Sequence, residues 1–424
     1  MILALQIGGG TIVALALFQL CLGVYSSVAA VFRERRLDAR HLQHFNDLAQ
    51  AALRNAEVDR LKSGTTWSGK RKFRIVEKRV ENKCGDICSF YLQPHDGGEL
   101  PPFLPGQFLT FELPISDQPA PVIRCYSLSD SPSRLDRYRV TIKRLSPPPD
   151  TGETIPGGLS STYFHASLKE GDVVDVQAPR GGFVLDLQSE RPVVLIGGGV
   201  GLTPVLSMLK ALDDAGSHRE VHFFHAARSG DDIVLCDEIR EIAERRNNVH
   251  YRVLYSAPTD ACVEGRDYDC PGFLTVDVLK RYLTSSNYEF YVCGPPQMMS
   301  SLTEQLRDWG VPDSDIHFEA FGPASVKTVK SPTSSREAAE SVQVEFSRSG
   351  KKVSWHEQDG TLLDLAERNG IRVASGCRAG NCGTCATALK EGDVTYVTRP
   401  ASSPAQGSVL MCIACPGGNV ILDA

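Results

Sequence analysis

Along the chain the spacing of apolar residues changes character several times, and each change predicts a different kind of element. Residues 1–32, MILALQIGGGTIVALALFQLCLGVYSSVAAVF, contain no Asp, Glu, Lys or Arg. About 20 mostly apolar helical residues suffice to cross a bilayer core. A signal peptide would begin with a basic stretch, which is missing here, and a buried helix seldom runs this far without a charge. The run therefore predicts a transmembrane helix, and RERR from Arg33 to Arg36 places the remainder of the chain in the cytoplasm. Over residues 33–66, Leu37, Phe45, Leu48, Ala52 and Ala56 recur at helical spacing until Ser63–Gly64 stops the pattern, which predicts a juxtamembrane helix. His41 and His44 lie three apart on it and read as solvated spacer residues rather than metal ligands.

Residues 67–190 carry short alternating runs broken by Gly and Pro: RKFRIVEKRV, SFYLQP, GQFLTFELP, RYRVTIKR and VVDVQAP. Such runs predict an antiparallel β-barrel or sandwich, of which a barrel is the expected form. Over 191–322 the texture becomes RPVVLIG, a helix in PVLSMLKALDDAG, EVHFFHAA, a second helix, HYRVLYS and YEFYVCG. This alternation predicts an α/β domain with a parallel sheet covered on both faces. Residues 323–341, rich in Pro, Ser, Thr and Lys, read as a linker, and 342–424 form a further small domain with a strand (VQVEFSR) and a helix (TLLDLAERNG) before a cysteine cluster.

Composition narrows the picture. A chain of 424 residues with net charge −6 offers no basic footprint for nucleic acid, and 13 cysteines spread over this length are not a small disulfide scaffold. A reducing compartment with a metal site fits better. Cys377, Cys382 and Cys385 show the spacing C-x4-C-x2-C, with Cys412 and Cys415 further on. This opening triplet with one later cysteine suits a 2Fe–2S cluster, and Gly376, Gly380 and Gly383 would let backbone N–H groups reach the sulfurs. Two close pairs are also a zinc pattern. The segment resembles plant-type ferredoxins, in which the fourth ligand stands where Cys412 does; the resemblance implies a β-grasp-like domain with Cys377, Cys382, Cys385 and Cys412 as ligands and Cys415 as a bystander.

The 67–323 region resembles the ferredoxin–NADP reductase superfamily, and within it the reductase half of flavohemoproteins. RCYSLS (124–129) matches the R-x-Y-S motif, PGGLSSTYFH (156–165) the G-x-x-S stretch before a helix, and IGGGVGLTPVLSML (196–209) the G-G-x-G-x-T-P loop. YVCGPPQMM (291–299) supplies the C-G-P turn and HFEAFG (317–322) the end of the module. The resemblance implies that Arg124 neutralises the FAD pyrophosphate, that Tyr126 packs on the flavin ring and that Ser127 approaches its reactive edge. Cys125, Lys143, Gly158, Ser160, Ser161, Thr162, Phe321 and Gly322 are expected to complete the FAD site. Gly198, Gly199, Val200, Gly201, Thr203, Pro204, Arg228, Cys293, Gly294 and Pro295 are expected to hold the nicotinamide nucleotide. Ser127, Cys293 and Glu319 form the expected catalytic set. A 2′-phosphate would want Arg228, which Asp231 and Asp232 oppose, so NADH is expected ahead of NADPH. Phe108 departs from the Tyr common in flavohemoproteins, and the membrane segment stands in place of their globin, which removes nitric oxide oxygenation as the chain's own expected activity.

The expected mechanism is a relay from NAD(P)H through FAD and the cluster to a separate one-electron acceptor, a membrane oxygenase, hydroxylase or desaturase. Hydride transfer requires no Ser/His/Asp or paired-carboxylate constellation. Residues 342–424 carry eight acidic and eight basic side chains, unlike a diffusing ferredoxin that steers by charge, and the linker would let the cluster domain swing. Two rival functions stay open. One is a quinone-reductase subunit, against which the domain order speaks; the other is a redox-sensing protein. Of the remaining cysteines, Cys84, Cys88, Cys262 and Cys270 read as packing or loop residues, and Trp355 and His356 as strand residues.

Overall fold

Alternating apolar residues close the first domain into a barrel. The structure, a computed structural model, describes residues 67–116, 118–147, 157–321, 342–398, 400 and 404–424. The expected membrane span, the juxtamembrane helix, Gly322 and the linker lie outside them, and among the described residues no helix is long and apolar enough to cross a membrane. Strands β1 (Lys70–Val80), β2 (Ile87–Pro94), β3 (Phe108–Leu113), β4 (Val122–Ser127), β5 (Tyr138–Lys143) and β6 (Val173–Arg180) are ordered β4-β3-β6-β1-β2-β5. An antiparallel bridge between Leu128 and Val140 joins the two outer members, so the sheet has no free edge there. Phe73, Ile75, Phe90, Leu109, Phe111, Tyr138, Val140 and Phe164 fill its interior, with Cys88 among them and Cys84 exposed.

The second domain is a parallel sheet of β7 (Val193–Gly198), β8 (Val221–Ala227), β9 (Val249–Tyr255), β10 (Cys270–Pro271), β11 (Glu289–Cys293) and β12 (Ile316–Glu319), ordered β10-β9-β8-β7-β11-β12. The chain starts in the middle at β7 and later crosses to β11, so the strand order reverses between these two, and ligands of such sheets bind at the carboxyl ends there. After a short helix α1 (Leu159–Thr162) in the barrel domain, α2 (Leu202–Asp214), α3 (Cys236–Arg245), α4 (Val276–Leu279) and α5 (Pro296–Asp308) cover the sheet. The charged run in α3 faces water while Ile239 and Ile242 are buried. Cys270 and Cys262 stay free thiols, Cys270 lying 3.1 Å from the Tyr282 hydroxyl.

The third domain has β13 (Val342–Phe346), β14 (Lys351–Trp355), helix α6 (Leu362–Arg368), β15 (Ala386–Glu391), β16 (Val394–Tyr396), β17 (Ser408–Leu410), β18 (Ala414–Pro416) and β19 (Val420–Leu422). The main sheet is β14-β13-β19-β15-β17, with β19 parallel to β13. This mixed sheet with α6 on it is β-grasp-like. Trp355 ends β14, but His356 has left the strand: it caps the 3-10 turn Glu357–Asp359, where Asp359 accepts its backbone N–H at 2.7 Å.

A buried charge clamp holds barrel and nucleotide domain together. Arg139 on β5 is 2% exposed and donates to both carboxylate oxygens of Glu238 on α3, at 2.6 and 3.0 Å. Lys210 on α2 reaches Glu238 at 2.5 Å and Asp130 at 2.7 Å. Breaking a buried pair from one side strands the other charge, which costs about 3–5 kcal/mol. Arg139→Met is therefore expected to lower unfolding stability by about 3 kcal/mol, read by denaturant titration. Arg240→Met, whose pair with Asp237 on the outer face of α3 is exposed, is expected to change it little.

Candidate electron-transfer site

Three domains contribute to one cavity. Phe108, Arg124, Cys125 and Ser127 from the barrel, Glu319, Ala320 and Phe321 from the end of β12, and Gly376, Cys377, Arg378 and Asn381 from the cysteine loop enclose about 370 Å³. That lies within the ~300–1,000 Å³ of ordinary small-molecule sites. Strand β4 delivers the R-x-Y-S residues. Arg124 donates to the Ile123 carbonyl at 2.7 Å and makes no ion pair with a carboxylate among the described residues. Burial, and then the Arg378 charge, depress its proton affinity. Arg378 pairs with Glu367, yet its Nε is buried without a hydrogen-bond partner. Two guanidinium groups with unused capacity on one cavity wall fit an anionic, phosphate-bearing cofactor.

The other expected FAD residues fall in two groups. The Tyr126 hydroxyl lies 2.7 Å from that of Ser160, which fixes the ring's tilt at the start of α1. Ser161 is taken up by structure: it accepts the Leu145 N–H at 3.1 Å and donates to the Gly158 carbonyl at 2.9 Å. Thr162 faces solvent, and Lys143 pairs with Asp86 at 3.4 Å, away from the cavity. Gly322 lies outside the described residues.

The three residues expected to be catalytic meet at Glu319. Its carboxylate accepts the Ser127 hydroxyl at 3.3 Å and also engages Asn381. Cys293 stands opposite it in the parallel register of β11 and β12, and burial pushes the Cys293 thiol well above its usual range. Burial also pushes the Glu319 carboxyl up to about 8 from 4.5, against the two hydrogen bonds. The folded protein thus keeps a proton that the unfolded chain has released, so between about pH 5 and 8 stability falls as pH rises. Glu319→Gln cannot ionise and should flatten that slope, as measured by denaturation at several pH values across the window.

At the reversal between β7 and β11 the glycine loop meets the C-G-P-P turn. A Cβ on Gly201 would lie 2.5 Å from the Cys293 carbonyl oxygen, and one on Gly198 would lie 2.8 Å from Pro295 and Met298. Gly199, Val200 and Gly201 form a 3-10 turn into α2, whose first residues are Leu202, Thr203 and Pro204. The Thr203 hydroxyl ties the turn by donating to the Val200 carbonyl at 3.0 Å. This leaves an open helix start for a pyrophosphate. Arg228, just past β8, is largely exposed and lies 3.5 Å from Asp232.

The cysteine loop is shaped around sulfur. Backbone N–H groups of Ala379, Asn381 and Cys382 point at Cys377 Sγ at 3.2–3.4 Å, and that of Cys377 at Cys382 Sγ at 3.3 Å. Gly380 has φ +77°, and a Cβ there would strike Ile413 at 2.6 Å. Cys377 sits beside Cys382, and Cys385 beside Cys412. Among the described residues the four sulfurs do not draw together into one ion-sized cluster. Two pairs suit two irons, whereas one zinc ion would gather four ligands at ~2.3 Å. Cys415 points elsewhere, its Sγ 3.6 Å from the Gly360 carbonyl. The loop also touches the barrel: a Cβ on Gly376 would lie 3.4 Å from Ile123 on β4. Asn381, Arg378 and Met298 were not legible in the sequence. Asn381 and Arg378 sit between ligand cysteines, where spacing says nothing about what the intervening side chains meet.

Three family models match the chain: an oxidoreductase FAD-binding domain over residues 73–185, an oxidoreductase NAD-binding domain over 195–304 and a 2Fe-2S iron-sulfur cluster binding domain over 344–417. The flavohemoprotein of Bacillus cereus is 39% identical over 259 residues, which is 61% of this chain and 62% of the relative. The chain thus spans less than two thirds of that relative's length. The flavohem-like FAD/NAD-binding domain of nitric oxide dioxygenase from Vibrio cholerae shares 33% identity with a TM-score of 0.52, covering 60% of this chain and 99% of that one. Phthalate dioxygenase reductase, a modular structure for electron transfer from pyridine nucleotides to a 2Fe–2S centre, shares 25% identity with a TM-score of 0.52. It covers 84% of this chain and 98% of its own. Taken with the cavity, the glycine loop and the paired cysteines, these matches show that the chain is an oxidoreductase with an FAD- and NAD-binding module of the ferredoxin–NADP reductase type joined to a C-terminal 2Fe–2S ferredoxin domain.

Proposed function

We propose that this protein is a membrane-tethered NADH-dependent reductase that delivers single electrons to a separate oxygenase, hydroxylase or desaturase. The observation that carries the reading is the shared cavity, in which Glu319 touches Ser127 of the flavin-motif strand on one side and Asn381 of the cluster loop on the other. Bound at these sites, FAD and the cluster supply the change from a two-electron hydride to single electrons. The residues contribute position and charge. Arg124 and Arg378 offer guanidinium donors to phosphate, while Tyr126, held by Ser160, sets the plane against which a flat ring can pack. Ser127 and a protonated Glu319 hold a proton at the cavity floor, and Cys293 closes the nicotinamide side without a charge.

NADH is preferred because a 2′-phosphate at the end of β8 would meet Asp232, which already engages Arg228. The tether is residues 1–32, with the basic RERR behind them holding the redox domains on the cytoplasmic side. The likeness to a dioxygenase reductase along most of the chain supports an oxygenase-type acceptor. The order flavin, nucleotide, cluster disfavours a quinone-reductase subunit.

Two tests separate the parts of this reading. Purified full-length protein should reduce cytochrome c steadily with NADH; failure with full flavin and iron content would favour a sensing role. Membrane fractions should retain the full chain in high salt and release it to mild detergent together with its acceptor. Recovery in the soluble fraction would remove the tether, and co-purification of a quinone-linked assembly would overturn the oxygenase reading.

A further inference from the structure

We propose that Glu220, His222 and His250 form a binding site for an imidazole-preferring divalent transition-metal ion, for which zinc is the probe. His222 and His250 stand directly opposite each other on the neighbouring parallel strands β8 and β9. Their ring centroids are 4.8 Å apart, tilted by 36°. Glu220 places Oε1 2.8 Å from His222 Nε2. One ligating atom from each of the three side chains lies within 4.8 Å of the others. Two imidazoles and one carboxylate are a donor set for zinc, nickel, copper or iron. A carboxylate–histidine hydrogen bond alone would account for Glu220 and His222, but it would not call for a second imidazole directly across the sheet from the first.

The surroundings suit an ion. His222 is 6% exposed, which shelters the inner ligand from solvent. Tyr288 stands edge-on to it at 5.6 Å as an apolar wall. Glu220 is exposed, so an ion can arrive from solvent and keep a water as a further ligand. Arg252 on β9 turns its guanidinium over the Tyr282 ring at 5.0 Å. Zn–N and Zn–O bonds of ~2.0–2.2 Å need ligand atoms about 3.5 Å apart. The register of the two strands already sets the imidazoles side by side, and side-chain rotation would close the remaining gap.

Glu220 immediately precedes β8 and His250 is the second residue of β9, so the site lies at the amino ends of the strands. The nucleotide loops lie at the carboxyl ends, about 20 Å away along a seven-residue strand. An ion here would staple β8 to β9 without touching the electron path, so the inference stands apart from the proposed function. The experiment is equilibrium dialysis of the full-length protein, with flavin and iron in place, against buffered zinc, followed by metal counting. The expected result is one zinc per chain beyond the cluster iron, with a zinc-dependent rise in Tm. Binding should weaken roughly tenfold or more in both Glu220→Gln and His250→Ala, while NADH–ferricyanide turnover stays at the wild-type level. Absence of bound zinc at sub-millimolar free ion, or equal binding by wild type and both variants, would overturn the site and assign any zinc to the cysteines.

Discussion

Cys412→Ala is expected to abolish NADH-driven cytochrome c reduction while NADH–ferricyanide turnover stays within about twofold of wild type. Cys412 is buried, follows β17 and pairs with Cys385 as one half of a four-sulfur site. Losing one of four thiolates would leave the cluster short of a ligand, and metal binding is part of what folds such a domain. Iron content should fall from two per chain to near none. Cys415→Ala is the matched control, because that thiol faces the Gly360 carbonyl and its partly buried position pushes its pKa up to about 11. It should leave iron and both activities unchanged. The opposite pattern, with Cys415 indispensable, would revive a zinc site built from two close cysteine pairs.

Arg124→Ala should yield protein largely stripped of flavin. A charged hydrogen bond contributes about 1.5–3 kcal/mol, equivalent to roughly 10–150-fold in Kd, and Arg124 offers a fork of donors to phosphate. Arg124→Lys keeps the charge but loses the fork, and should fall between the two. Tyr126→Phe removes only the 2.7 Å contact with Ser160 and is expected to weaken binding by a few-fold at most. Titration of flavin-free protein with FAD reads all three. Full flavin occupancy in Arg124→Ala would show that the phosphate is held elsewhere.

Much of the architecture can be read from local pattern, because the first barrel strand alternates at its start and the strand that opens the nucleotide sheet is apolar throughout. Phe73 and Ile75 declare an inner face, and Val193–Ile196 declare burial on both sides. The cysteine loop is similarly legible, since three of its four expected ligands and two of its glycines lie within nine residues. What periodicity cannot carry is contact between distant segments. Arg139 looks like one more charge on a strand, yet it is nearly inaccessible and clamps two domains through Glu238, 99 residues away. Asn381 gives no hint that it meets Glu319. Lys143, Ser161 and Thr162 show the converse: motif position suggested cofactor contact, whereas local partners or solvent occupy them. His356 lies one residue past the strand, where its backbone N–H finds Asp359 in a capped turn instead of a ladder partner.

Hydride electrons entering at the nicotinamide site should leave one at a time through the paired cysteines of the same chain. The most direct measurement is low-temperature EPR of the purified protein after anaerobic addition of NADH. The expected result is flavin bleaching together with a reduced 2Fe–2S signal, and bleaching without that signal in Cys412→Ala. A wild-type protein that stays unbleached, or one whose flavin bleaches while its intact cluster remains EPR-silent, would contradict it.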